Sequence, residues 1–225
     1  MSKVELMGFY GDDTIHAQSA WTSTSRDLTE DKINRIPKLL NMLASEGHHT
    51  TFEKSMLHFL VTVDQATHIH LLKHRIGVSI NGESARYKEL KEDKAYFPED
   101  WKGIEISKGD TNEFFYDNNG DINSWYEVLE SYTNLGNTLY HQCLEDLTPI
   151  VGRKRAKESA RFFKTFNSQI TMDISFNWRS FYHFQQLRNS EHAQLEVREI
   201  ALEMLELVKN IEGNPFEHTI KAFNL

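Results

Sequence analysis

Apolar and polar positions alternate along SMLHFLVTVD: Leu57, Phe59, Val61 and Val63 share one face, His58 and Thr62 the other. Period-two alternation in β-branched and aromatic residues predicts a strand. NSQITMDISF repeats the pattern, and VELMGFYG predicts a short strand near the start. Elsewhere the period lengthens. In TEDKINRIPKLLNMLASEG, Ile33, Ile36, Leu40 and Leu43 recur at helical intervals, Gly47 ends the run, and Pro37 is a candidate kink. QATHIHLLKHR predicts a short helix and INSWYEVLESYTNLGNTLYHQCLEDL a long one. TPIVGRKRAKESARFF is expected to start afresh, with Thr148 as cap and Pro149 at the first helical position. NWRSFYHFQQLR and SEHAQLEVREIALEMLELVKN predict closing helices. Val197, Ile200, Ala201, Met204, Val208 and Ile211 form the core stripe of the second. Lys91 to Ile122 is polar and punctuated by Pro98, Gly103, Gly109 and Gly120, which predicts loops with room for a hairpin. Its DNNGD is not a calcium loop: the glycine is misplaced and no glutamate closes it at the twelfth position. With no repeat and no linker, the expectation is a single α+β domain over residues 1–225.

Composition narrows the class. Of 225 residues 39% are hydrophobic, enough for a core. The net charge of −8 repels phosphate on average, which argues against non-specific binding of nucleic acid or an anionic membrane. Cys143 is the one cysteine, so no disulfide forms within the chain and a reducing compartment is expected. No apolar run reaches the ~18 residues of a membrane span, and MSKVELMGFYGDD lacks a signal-peptide apolar stretch. A soluble protein is expected, in a bacterial cytoplasm or a virus-infected host cell.

Four clusters gather cations and hydroxyls against that acidic average. In KHRIGVSINGESARY, Gly82 permits unusual backbone angles, the loop amides can face an anion, and Arg86 and Ser84 can hold phosphate. The ordinary alternative is a charged helix end and a solvated turn. SEGHHTTFEKS places two histidines, two threonines and Glu53 in a helix-to-strand loop, where a capped helix end is the bland reading. SARFFKTF carries Arg161 at the end of a basic helix, read mainly as a solvated face. NWRSFYHFQQLRNSEHAQLE interleaves Asn177, Arg179, His183 and Arg188 with aromatics, a composition suited to a flat anionic ligand or to a core with snorkelling arginines.

Taken in order, KHR…SAR, GHHTTFE, NWRS and LRNSEHAQ resemble the motifs of the flavin-dependent thymidylate synthases, the ThyX family. The family signature is Arg-His-Arg, seven residues, then Ser-x-Arg. A Gly-His-x-Thr-x-Phe-Glu loop precedes it; Asn-x-Arg-Ser and Leu-Arg-x-x-x-His-Ala-Gln follow. The resemblance covers most of the chain and weakens from Lys91 to Leu147. Three positions depart. Lys73 replaces the first arginine and loses its planar fork. Eight residues rather than seven separate Arg75 from Ser84, so a one-residue bulge is expected. His183 stands where many members carry asparagine.

The resemblance implies an antiparallel sheet flanked by helices, assembled as a homotetramer with active sites at subunit interfaces. The implied enzyme is a methyltransferase. It would convert dUMP to dTMP with 5,10-methylenetetrahydrofolate as carbon donor and NADPH, through FAD, as reductant. By position, Ser84, Arg86 and Arg161 would hold the dUMP phosphate and Arg188 the uracil edge, with His70 and Glu83 further candidates for the nucleotide. Thr50, Glu53, Lys73, His74, Arg75, Asn177, Arg179 and His183 would line the FAD site, joined by Ser23 through a partial match. His48 would sit where folate or nicotinamide enters. Ser84 has no histidine placed as an activating base, so it is read as a binder rather than a nucleophile. Cys143 has no supporting motif and is read as a small core residue.

Two rival readings come from the residues alone. His70 and His74 are spaced i, i+4 and could begin a metal-hydrolase site with His48, His49 or His68, but no H-E-x-x-H or paired-carboxylate pattern accompanies them, and no metal is expected. The basic aromatic cluster would also suit a nucleotide- or RNA-binding module, against which the net charge argues.

Overall fold

The computed structural model describes residues 3–106, 122 and 124–225. Residues 107–121 of the stretch read as loops with room for a hairpin, DNNGD among them, lie outside the described residues. The chain forms two compact units, each built from separate segments: Val63–His68 with Glu83–Ile170, and Ser2–Thr62 with Ile69–Gly82 and Thr171–Leu225. We call these the helical unit and the sheet unit.

Four strands, β1 (Lys3–Tyr10), β2 (Met56–Asp64), β3 (Val78–Gly82) and β4 (Gln169–Phe176), form one sheet in the order β1-β2-β4-β3. The β1–β2 and β3–β4 pairs are antiparallel. The alternation read from sequence is the burial pattern observed: Leu57, Phe59, Val61 and Val63 on β2 have no exposed surface, and Ile174 and Phe176 on β4 have none either. In the sheet unit this face meets α6 (Trp178–Arg188), which contributes Trp178, Phe181 and Phe184, all fully buried. Phe59 stacks on Phe181 with ring centroids 5.9 Å apart. Removing an aromatic ring from such a core costs about 3–5 kcal/mol, the lost transfer energy plus the cavity left behind.

The predicted helices are present as α2 (Glu30–Ser45), α3 (Gln65–Leu71), α4 (Trp125–Val151), α5 (Arg153–Ala160), α6 and α7 (Leu195–Lys209). Several boundaries and faces differ from expectation for local reasons. Thr148 does not cap a new helix. Its hydroxyl donates to the Leu144 carbonyl at 2.5 Å, and α4 runs through Pro149 to Val151. The break falls at Gly152, with φ +80°. Ile36, Leu40 and Leu43 are buried on α2, but Ile33 in its first turn is 50% exposed. α7 starts at Leu195 rather than Ser190, because Ser190 Oγ accepts the His192 amide in a local turn; Ile211 lies beyond its end.

The loop expected between Arg75 and Ser84 contains the edge strand β3. Its pairing with β4 runs from Val78↔Phe176 to Gly82↔Met172 without a shift, so the extra residue makes no bulge in this ladder. Gly82 is extended strand; the positive φ belongs to Gly77. Two short helices were not anticipated, α1 (Asp13–Trp21) and α8 (Glu217–Ala222). A buried polar chain joins them within the sheet unit: Thr219 Oγ1 donates to Asp13 Oδ1 at 2.5 Å, and His16 bridges Thr219 Oγ1 at 2.9 Å and Ser55 Oγ at 2.8 Å.

In the helical unit, Tyr140 and Leu144 of α4 pack on Ala156 and Ala160 of α5, with Cys143 partly buried against them. α4 can approach this closely because Gly136 has no side chain: a Cβ there would lie 2.6 Å from the Phe163 carbonyl oxygen. That contact fixes the 3-10 turn Arg161–Phe163 against α4. Among the described residues, no helix is long and apolar enough to cross a membrane.

Candidate active site

In the sheet unit, Asn177 caps α6 by accepting the Ser180 amide on Oδ1 at 2.9 Å. The cap holds the first turn of α6 against the segment before β3. The Asn177 amide donates to the Gly77 carbonyl at 3.1 Å, and the Ser180 hydroxyl to the Ile76 carbonyl at 2.6 Å. A Cβ on Gly77 would lie 2.3 Å from Ser180 Oγ and 2.4 Å from Asn177 Nδ2, and its φ is +65°. Space and backbone angle both demand glycine here.

This junction opens a cavity of about 500 Å³. Glu53, Asn177, Arg179 and His183, four residues predicted to line one ligand site, all line it. Arg179 Nη1 donates to Glu53 Oε1 at 2.6 Å, joining the NWRS helix to the 3-10 turn His49–Lys54 formed by the GHHTTFE segment. Residues missed from sequence complete the wall. Ile76 and Gly77 follow KHR directly; His49 and Tyr182 present aromatic edges, with ring centroids 6.0 Å apart. The signals were present: a glycine just after the signature, and a second histidine beside His48. Nothing in the sequence alone separated them from turn and core residues.

Next to the cavity segments, His74 and Arg188 form a pair. Arg188, at the last position of α6, donates from Nε to His74 Nε2 at 3.0 Å. His74 is only 9% exposed, with its ring edge-on to Phe184 at 5.0 Å. Burial, then the charges of Arg188 and His183, push its pKa down to about 4.

The remaining predicted residues of this unit do not line the cavity. Thr50 and His48 are exposed in and just before the 3-10 turn. Lys73 and Arg75 are exposed on either side of His74. Among the described residues neither pairs with a carboxylate. His70 is half-buried on α3. Ser23 sits in the turn after α1, its hydroxyl donating to the Ala20 carbonyl at 3.1 Å.

The helical unit holds Glu83, Ser84, Arg86 and Arg161. Ser84 opens a turn in which its carbonyl accepts the Tyr87 and Lys88 amides. Glu83 pairs with Lys88 at 2.6 Å. Glu158, which the sequence reading passed over, draws the arginines together: Arg86 Nε donates to its Oε1 at 2.9 Å, and Arg161 Nε to its carbonyl at 3.2 Å. The Arg86 hydrogen bond holds the Glu158 carboxyl below its usual range. Part of the basic helix therefore serves as more than a solvated face. Besides Glu158, α5 grips the 83–89 segment through Arg153 with Glu89, and through Lys157 Nζ with the Tyr87 carbonyl at 2.8 Å. Among the described residues no cluster of three potential metal ligands occurs, and the His74 Nε2 lone pair is already engaged by Arg188.

Comparison with known proteins gives consistent results. The chain is 29% identical over 220 residues to a flavin-dependent thymidylate synthase from Pseudothermotoga lettingae, covering 97% of this chain and 90% of that one. It is 29% identical to another from Kosmotoga olearia, over 92% and 85% of the two chains. The structure of the UMP/dUMP methylase PolB from Streptomyces cacaoi has the same fold, with a TM-score of 0.74, 22% identity, and coverage of 100% of this chain and 94% of PolB. Residues 5–212 match the profile of the family described as thymidylate synthase complementing protein, Thy1. Since that match takes in the cavity, the His74–Arg188 pair and all but the last helix of the sheet unit, the chain belongs to the Thy1/ThyX family.

Proposed function

We propose that this chain, as a single ThyX-like domain, methylates dUMP to dTMP, with 5,10-methylenetetrahydrofolate as carbon donor, FAD as bound coenzyme and NADPH as reductant. The observation that carries the reading is convergence: segments of all four motifs, among them Glu53 and Arg179 126 positions apart, meet around one cavity and one Arg–His pair in the sheet unit.

The residues present suit a flavin dinucleotide. The cavity falls within the roughly 300–1,000 Å³ typical of cofactor sites. Exposed Ile76 and the ring of Tyr182 offer apolar and aromatic surface to a flat ring system, and Arg179, Lys73 and Arg75 offer charge to a diphosphate. FAD, when bound, supplies the redox chemistry by which NADPH reduces the transferred carbon. The chain's own residues bind and orient. Arg188 would stabilise negative charge on the uracil edge. Arg86 and Arg161, with Ser84, would hold the phosphate; Arg86 reaches it by exchanging Glu158 for a better-charged partner. His48 would guard the entrance for folate or nicotinamide, and His70 and Glu83 would add contacts to the nucleotide.

A homotetramer with shared active sites belongs to the same reading. Tyr132, Leu135 and Leu139 recur on one side of α4 and are 40–56% exposed, an apolar stripe that packing against a second copy would cover.

Purified protein should be yellow, bleach with NADPH, and form dTMP from dUMP when methylenetetrahydrofolate is added. A colourless protein that neither retains added FAD nor makes dTMP refutes the proposal. Because PolB acts on both UMP and dUMP, both nucleotides belong in the assay. Turnover of UMP at a comparable rate would move the substrate assignment to uridylates generally.

A further inference from the structure

We propose that His74 is a positioning residue for Arg188: a neutral imidazole whose Nε2 lone pair orients the guanidinium while leaving its positive charge undiminished for an electron-rich ligand. The consequence for nucleotide binding rests on the reading above; the pairing itself does not.

The bond geometry sets the protonation pattern. Arg188 Nε–H points at His74 Nε2 from 3.0 Å, and a ring nitrogen that accepts a hydrogen bond carries no proton. The imidazole proton therefore sits on Nδ1, and the ring is neutral. Its surroundings favour that state. The ring is nearly enclosed, edge-on to Phe184, with His183 6.4 Å away and Arg188 in contact. A second proton would have to enter a buried site facing a guanidinium, and its pKa of about 4 reflects that burial and those neighbours.

Three other arginines, Arg86, Arg153 and Arg179, are held differently, by carboxylates. Arg86 meets Glu158, Arg153 meets Glu89 and Arg179 meets Glu53. A carboxylate partner fixes a guanidinium and also cancels its field. A neutral acceptor fixes it and cancels nothing, and in a partly buried site the surviving charge acts through a lower effective dielectric than water. Among the described residues, no protein partner is seen for the terminal nitrogens of Arg188, so both remain available. The residue read from sequence as a flavin contact thus acts through Arg188.

Two measurements test this. The first is the side-chain ¹⁵N spectrum of the full-length protein at neutral pH, compared with Arg188→Leu. The expected result is a neutral Nδ1–H tautomer for His74 whose Nε2 signal moves when Arg188 is removed. An Nε2–H tautomer, a doubly protonated ring, or an Nε2 signal indifferent to Arg188 overturns the inference. The second is calorimetric titration of the flavin-loaded protein with dUMP. His74→Phe keeps a ring but no acceptor and should weaken binding about tenfold or more. His74→Gln, whose Oε1 falls near the position of Nε2, should recover most of that loss. His74→Glu keeps the hydrogen bond but neutralises the pair, and should bind dUMP as weakly as the phenylalanine variant. Wild-type affinity in either the Phe or the Glu variant refutes the charge argument. If the unmodified protein binds no dUMP, the functional reading fails instead, and the ¹⁵N spectrum alone decides whether His74 holds Arg188.

Discussion

Arg188, Gly77 and Glu158 each separate one physical effect from the rest. Arg188→Ala removes a charge from the position assigned to the uracil edge. The loss of kcat/KM should be about 10²–10³-fold, the range for one donor to developing negative charge, in a protein that still folds. Near-normal dTMP formation refutes the assignment. Gly77→Ala acts through the backbone. Positive φ and a Cβ against the Asn177–Ser180 cap should lower stability by about 1–3 kcal/mol and weaken FAD retention together, measured by thermal melting and flavin release. Glu158→Gln frees Arg86 of its competing carboxylate, so dUMP should bind several-fold tighter by calorimetry; unchanged or weaker affinity removes Arg86 from the phosphate site. Of these three, Arg188 could be picked out from sequence because an arginine beside aromatics is chemically conspicuous. Gly77 and Glu158 could not: what matters about Gly77 is which side chains crowd it, and what matters about Glu158 is which arginines reach it.

At the scale of elements, strands were the most legible where one face is buried, because alternation in β2 and β4 is the imprint of that burial. β3 escaped notice: it is short, lies at the sheet edge, and none of its residues is fully buried, so its composition reads as a polar loop. α1 and α8 escaped for a related reason, since polar contacts hold them together. Those contacts make stability depend on pH. His16 is fully buried among Thr219, Ser55 and Phe52, and burial lowers its pKa to about 3. Below the ordinary value of 6.5 the unfolded chain takes up a proton that the folded chain refuses. Its contribution is therefore whole above pH ~6.5 and is lost as pH falls towards 3, by about 1.4 kcal/mol per pH unit. Unfolding free energy measured from pH 7 to 4 should show this slope, and His16→Asn should remove about one proton from it. An unaltered slope would mean that His16 is not the group responsible.

At the scale of the molecule, an acidic chain with exposed Lys73 and Arg75 on either side of His74 offers positive charge locally, whereas nucleic-acid binding needs a broad positive field. Light scattering should give four times the 26.3 kDa chain mass if the proposed homotetramer forms. A monomer that is nonetheless fully active would refute shared active sites. Cys143 belongs at this scale because it decides between reaction classes. Packed against Tyr140, Leu144, Ala156 and Ala160, it should tolerate alanine with dTMP formation retained. An inactive but folded Cys143→Ala protein would instead make Cys143 a candidate nucleophile.

The sequence by itself determined the α+β class, the buried faces of β2, β4 and α7, and the motif residues, because periodicity and residue chemistry are local properties written along the chain. The tertiary structure alone decided that Gly77 rather than Gly82 takes the positive φ, that Glu158 meets Arg86, and that Arg188 faces a neutral histidine instead of a carboxylate. Each is a relation between groups distant in the chain and brought into contact by folding. His74 and Arg188 are separated by 114 positions, and nothing in either segment specifies which partner the other will meet.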